Sequence, residues 1–178
     1  GDTVLVRPGI YRERVAPPRS GEPGKPITYR AEELGKVFIR GSEKWNPPWE
    51  SLNGNVYFAR PDQSLFSSDD VYIDHSNPFL VPLASTPYDR QGKPEHERTG
   101  NGNPELIYNC GQVFVNGRPW EQRPFLKEVI KEPETWNFEN GTGRVYINFG
   151  KEDPSKQHVE ITTRRRIFSP NFNGFGHI

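Results

Sequence analysis

Residues 1–45 read GDTVLVRPGIYRERVAPPRSGEPGKPITYRAEELGKVFIRGSEKW, and the fold turns on this stretch. It holds four short runs rich in β-branched and aromatic residues: Thr3 to Val6, Ile10 to Val15, Ile27 to Ala31 and Val37 to Gly41. Such side chains suit a pleated surface, and no run shows the 3.6-residue period of an amphipathic helix. Turn chemistry separates them. Arg7-Pro8-Gly9 reads as a type II turn with Gly9 supplying a positive φ, and Glu33-Leu34-Gly35-Lys36 reads as a second short turn. Between Val15 and Ile27 lies a Pro/Gly-rich excursion, APPRSGEPGKP.

The rest of the 178-residue chain agrees with a β protein. Its 17 Gly and 18 Pro would interrupt any long helix, and Met is absent. Lys and Arg total 23 against 23 Asp and Glu, which excludes a basic nucleic-acid footprint and a cationic membrane-surface helix. No window approaches the ~18 apolar residues of a transmembrane helix. Apolar residues make up 32% and mean hydropathy is −0.85, low for an independent globular domain. A single cysteine, Cys110, excludes an internal disulfide and reads as a small buried hydrophobe. With no Met and no targeting segment in view, Gly1 is expected to be an internal position; bacterial cytoplasm and secretion both fit.

Beyond Ser42 the character changes. Glu43 to Glu105 reads as loop-like, and residues 85–104 (STPYDRQGKPEHERTGNGNP) carry almost no apolar side chain. Strand signals return at Gln112 to Val115, where Asn116-Gly117 is the strongest two-residue hairpin signal, with Arg118 to Gln122 as partner. Phe125 to Ile130 fits one helical turn. Trp136 to Glu139, the turn Asn140-Gly141-Thr142-Gly143 and Arg144 to Phe149 form a second hairpin, with Val145, Ile147 and Phe149 on one face and Tyr146 on the other. His158 to Thr163 follows, and Ile167 to Ile178 looks like the start of another short-strand array.

The first 45 residues resemble the opening coils of right-handed parallel β-helix proteins that act on carbohydrates. VFVNGRPWEQ, WNFENGTGRVYINF, DPSKQHVEITTRRRIFSP and NGFGHI occur later in that order. They resemble the inserted β-sandwich and the return to the helix in glycoside hydrolase family 120, the β-xylosidase-type enzymes. The resemblance implies an all-β chain: first coils at 1–45, a loop-rich connection at 46–111, an inserted antiparallel module at 112–163, and the return to the helix at 164–178. It also implies a piece of a longer protein, because each coil must stack on neighbours and the ends need caps.

Enzymes of this kind use a carboxylate pair, with the two groups about 5–5.5 Å apart for retention and about 6.5–9.5 Å for inversion. The resemblance places that pair downstream of Ile178, so no catalytic residue is assigned to this chain. Its best acidic cluster, Asp69, Asp70 and Asp74, reads as solvated surface. Asp74-His75-Ser76-Asn77-Pro78-Phe79, with Asp89-Arg90 beyond it, resembles the family's Asn-Pro-aromatic loop. Asp74, His75, Asn77, Asp89 and Arg90 are therefore the substrate-side or subunit-contact candidates.

Trp45, Trp49, Tyr57, Phe79, Tyr88, Trp120 and Trp136 suit either sugar-stacking platforms or core closure, and core closure is the commoner use in β-rich domains. His75, His96, His158 and His177 lack metal-ligand spacing, so no metal or other cofactor is expected. Glu95-His96-Glu97 reads as a solvated charge run. Arg164-Arg165-Arg166 fits a domain junction or a sugar carboxylate, but it is too short for a nucleic-acid patch. Asn140-Gly141-Thr142 matches a glycosylation acceptor, although its turn chemistry accounts for it.

The leading expectation is the N-terminal part of a xylosidase-like β-helix glycoside hydrolase. Its partners would be an oligosaccharide or polysaccharide and the remainder of its own β-helix, with room for a homo-oligomer. A non-catalytic carbohydrate-binding or surface β-helix protein and a polysaccharide lyase are the rivals, since one scaffold serves all three.

Overall fold

The computed structural model describes residues 1–66, 77–80, 108–164, 166–169 and 176–178. Within them the chain is built of β-strands, and the one α-helix is six residues long. Two compact units divide these residues. One gathers 1–43 with 164–178, the other 44–67 with 75–163.

In the first unit β1 (Thr3–Val6) pairs in parallel with β3 (Thr28–Ala31), from Thr3↔Thr28 to Val6↔Ala31. β2 (Gly9–Tyr11) pairs in parallel with β4 (Val37–Ile39), from Gly9↔Val37 to Tyr11↔Ile39. Parallel neighbours need a long crossover, and the Pro/Gly-rich excursion supplies it. Inside that excursion Glu22 and Lys25 exchange both backbone hydrogen bonds across Pro23-Gly24, with Gly24 at φ 74°. The turn before β4 is closed by Lys36 N–H to Glu33 O at 3.2 Å, with Gly35 also at φ 74°.

Gly9 is not the positive-φ turn residue that the Arg7-Pro8-Gly9 reading expects. It opens β2 and donates its N–H to Lys36 O at 2.9 Å, so the ladder holds it extended. The Tyr11 hydroxyl donates to Arg7 O at 3.0 Å, and a Cβ on Gly9 would meet the Tyr11 ring at 3.3 Å. Glycine serves close approach here.

The end of the chain returns to these strands. Val15 and Phe168 form a parallel bridge, and the Phe168 ring meets Tyr29 edge-on at 5.2 Å. Along β3, Thr28 N–H donates to Asp2 O at 2.8 Å while the preceding Ile27 N–H donates to His177 O at 2.9 Å. Successive N–H groups of a strand point to opposite sides, so His177 lies on the side of β3 away from β1.

The second unit is a pair of sheets. β6 (Glu50–Ser51), β7 (Val56–Ala59), β10 (Glu121–Gln122), β11 (Thr135–Glu139) and β12 (Arg144–Asn148) form a five-stranded sheet in the order β10-β11-β12-β7-β6. β8 (Val113–Val115), β9 (Arg118–Pro119) and β13 (Val159–Thr162) form the other in the order β13-β8-β9. It is extended beside β13 by β5 (Ser42–Lys44), whose last residue belongs to this unit. Asn116 (φ 52°) and Gly117 (φ 78°) make the tight β8–β9 turn that the Asn-Gly pair expects.

Val145, Ile147 and Phe149 face the main core with Trp136, Phe138, Val113, Val115, Val159 and Ile161. Tyr146 points the other way, onto Val56 and Val129. That second layer seats α1 (Leu126–Lys131), whose Val129 is fully buried. The two faces of β12 thus match the alternation read from VYINF.

Three features differ from the sequence reading. The stretch after Ser42 contributes β6 and β7, and β7 is a central strand: Val56–Ala59 pairs along β12 from Asn148 to Val145. Val56–Ala59 is a four-residue run between Asn53-Gly54-Asn55 and Arg60-Pro61, and packing rather than local pattern sets its pairing with β12. Arg118 to Gln122 is not one hairpin partner but two strands. The chain leaves β8 at Trp120, and Glu121–Gln122 joins β11 in parallel. In the β11–β12 hairpin the positive φ falls on Gly143 (71°), not on Asn140-Gly141, and Gly143 N–H donates to Glu139 O at 2.7 Å.

Candidate functional site

Of the five substrate-side candidates, Asn77 is described; Asp74, His75, Asp89 and Arg90 lie outside the described residues. Asn77 is buried, and its Oδ1 accepts the Phe79 N–H at 2.9 Å while its carbonyl accepts the Leu80 N–H at 2.9 Å. Asn followed by Pro is the chemistry of a capped turn, because the amide oxygen takes a free N–H and proline has none to offer. The turn it starts, Pro78–Leu80, drives Phe79 into the core. The Phe79 ring lies 5.6 Å from Trp136, 5.5 Å from Phe138 and 6.3 Å from Phe66. A Cβ on Gly111 would stand 2.5 Å from that ring, so only glycine fits opposite it. Asn77 and Phe79 thereby fix this point of the chain to the core of the second unit.

The tryptophans separate into two groups. Trp45 and Trp136 are core residues, and the Trp136 Nε1–H donates to Trp120 O at 3.0 Å. Trp49, Tyr57 and Trp120 are half-buried and converge on Phe149, at 5.3, 6.1 and 5.6 Å between ring centroids. The Trp49 ring also meets Trp45 at 5.0 Å. Its Nε1–H is buried with no acceptor among the described residues. These three rings close over the main core while keeping part of their surface in solvent. Tyr88 lies outside the described residues.

Among the described residues no group of three His, Cys, Asp or Glu side chains could hold a metal ion. His158 Nε2 lies 2.9 Å from Glu160 Oε1, and Glu160 is 1% exposed. This buried carboxylate had no signal in the sequence. Val159 and Ile161 point into the main core and Glu160 to the other face of β13, where it is nonetheless covered. His177 sits at φ 56°, and its carbonyl holds Ile27. His96, Glu95, Glu97, Asp69 and Asp70 lie outside the described residues.

The arginines divide as well. Arg164 pairs with Glu43 at 2.7 Å and donates its N–H to Gly41 O at 3.0 Å. Arg14 donates to Ser169 O at 3.0 Å; its burial, with help from the nearby Arg166 charge, lowers its pKa. Arg12 donates to Ser42 O at 2.6 Å. The side chains of Arg12 and Arg14 thus bind backbone carbonyls, and that of Arg164 a carboxylate. Cys110, expected to be a buried hydrophobe, is half-buried. Other carboxylates serve structure: Glu139 Oε2 accepts from Thr142 and from the Tyr146 hydroxyl at 3.2 Å, and Arg123 binds Glu121 and Glu132.

No protein-family profile matches the chain, and no curated protein does. Among solved structures the chain is similar to XylC in complex with xylose, with a TM-score of 0.73 and 26% sequence identity. That similarity covers 100% of this chain and 29% of XylC, so the chain spans less than a third of that protein's length.

Proposed function

We propose that this chain is the N-terminal part of a xylose-related glycoside hydrolase of the β-xylosidase type, built on a right-handed parallel β-helix. The similarity to XylC over the full chain carries the reading. Supporting it, β1 over β3, β2 over β4 and Val15 beside Phe168 repeat one order of short parallel strands, as two successive coils of such a helix would. On this reading residues 1–43 and 164–178 are coil, and the sandwich is inserted into the second coil between β4 and Phe168. The catalytic carboxylates then belong to later coils. Of the substrate-side candidates Asp74, His75, Asn77, Asp89 and Arg90, Asn77 is seated beside the core by the Pro78–Leu80 turn, and on this reading the group would meet a sugar or a neighbouring subunit. A neutral pentose needs aromatic faces and hydrogen-bonding groups rather than a charged pocket, which agrees with equal numbers of acids and bases.

The test compares the full-length protein with residues 1–178 on nitrophenyl xylosides and arabinosides. Turnover by the full-length protein and none by the piece supports the reading. Turnover by the piece, abolished by Asp74→Asn, would place the carboxylate pair inside these residues. Binding of xylo-oligosaccharides without turnover would make the protein a binding module, and unsaturated products from a uronate polymer would make it a lyase.

A further inference from the structure

The chain carries Asn-Gly at three described positions, and the fold treats them differently. Asn116 is held at both ends of its amide. Nδ2 donates to Gln157 Oε1 at 2.7 Å, and Oδ1 accepts the His158 N–H at 3.0 Å. Asn53 Oδ1 accepts from the Asn55 and Val56 N–H groups at 3.2 and 2.8 Å, and the following Gly54 N–H is committed to Ser51 Oγ at 2.9 Å. Asn140 has neither restraint. It is exposed at the tip of the β11–β12 hairpin, and among the described residues neither its side chain nor the Gly141 N–H makes a hydrogen bond. A Cβ on Gly141 would meet nothing within 4 Å. The turn is closed instead by Gly143 and Glu139, so its geometry leaves Asn140-Gly141 without a part to play.

We infer that Asn140 is a site of spontaneous covalent modification, converting to aspartate and isoaspartate faster than Asn53 or Asn116. The Gly141 backbone nitrogen attacks the Asn140 Cγ, a C–N bond forms, and the side-chain nitrogen leaves as ammonia. Water then opens the cyclic imide at either carbonyl, leaving a carboxylate where a neutral amide stood. The step needs a backbone nitrogen free of hydrogen bonds, an amide free to rotate, and no side chain on the following residue to crowd the attack. Of the three pairs Asn140-Gly141 meets all of these. The new charge would lie next in sequence to Glu139, whose carboxylate already accepts from Thr142 and Tyr146.

The protein is incubated at mildly alkaline pH and physiological temperature, native and in denaturant, and sampled over days by peptide mapping. The mapping reads the mass change of an amide-to-acid exchange, and the two acid isomers are separated. In the native protein Asn140 is expected to convert several-fold faster than Asn53 and Asn116, and in denaturant the three rates should converge. Gly141→Ala should slow the native reaction at Asn140 and leave the other two sites unchanged. Conversion of native Asn116 or Asn53 as fast as Asn140, or an Asn140 that stays intact while its denatured counterpart converts, would overturn the inference.

Discussion

Val15 and Phe168 lie near opposite ends of the chain, yet they pair as parallel neighbours. The Val15 N–H donates to Ile167 O at 2.9 Å, and the Ser169 N–H donates to Val15 O at 3.0 Å. All of the second unit intervenes between them in sequence, and the first unit is completed only when the chain returns. Loop-closure entropy grows slowly with length, so a folded insertion is tolerated at such a point.

Phe168 is 44% exposed and its ring meets Tyr29 edge-on, an apolar contact of the returning segment. Phe168→Ala should lower stability by about 1–2 kcal/mol, less than a fully buried Phe would lose. A double-mutant cycle with Tyr29→Ala, read by urea denaturation, should give a coupling of about 0.5–1.5 kcal/mol. Zero coupling would show that the ring contact adds nothing to the backbone bridge.

Trp49 and Trp136 differ in what their indole N–H finds. Trp136 donates to Trp120 O at 3.0 Å, whereas the Trp49 donor is buried without an acceptor among the described residues. Trp136→Phe should therefore destabilise more than Trp49→Phe by about 1–3 kcal/mol, because one removes a satisfied bond and the other removes an unsatisfied donor. Equal losses in denaturant unfolding would contradict the contrast.

Asn148 is buried on β12 and ties the helix to the sheet, donating Nδ2 to Val129 O at 2.6 Å and accepting the Gly150 N–H at 2.8 Å. Asn148→Ala strands a buried carbonyl and an N–H, and should cost about 2 kcal/mol. Hydrogen exchange should reveal the site of the damage, with faster exchange in residues 126–131 than in β8.

Asp153 caps the turn Pro154–Lys156. Its carboxyl is held below the usual range by hydrogen bonds from the Ser155 hydroxyl and backbone N–H, with a smaller contribution from Lys156. A depressed folded pKa stabilises the native state above the unfolded value, and the gain is lost as pH falls through the folded value. Thermal midpoints of the protein and Asp153→Asn should thus diverge at neutral pH and converge in acid. A gap that persists unchanged into acid would mean that the charge of Asp153 is irrelevant.

Elements with local chemistry were legible in the sequence. The four short strands of residues 3–41, the Asn116-Gly117 turn, the helical turn near Phe125 and the two faces of β12 follow from side-chain alternation and residues tolerant of positive φ. The candidate site was legible only as a loop: Asn77-Pro78-Phe79 announces a turn, but Asn77 spends its oxygens on backbone and Phe79 is core.

What the sequence alone determined was an all-β chain and some of its turns, Asn116-Gly117 above all, because strand preference and turn geometry act over a few neighbouring residues. Partner choice was decided by tertiary structure. That β7 lies beside β12, that the chain changes sheets at Trp120, that Glu160 is buried and that Phe168 comes back to Val15 all depend on contacts between residues far apart in sequence. An edge hydrogen bond or a buried face is equally available to many segments until packing selects one. No local pattern in the sequence records that selection.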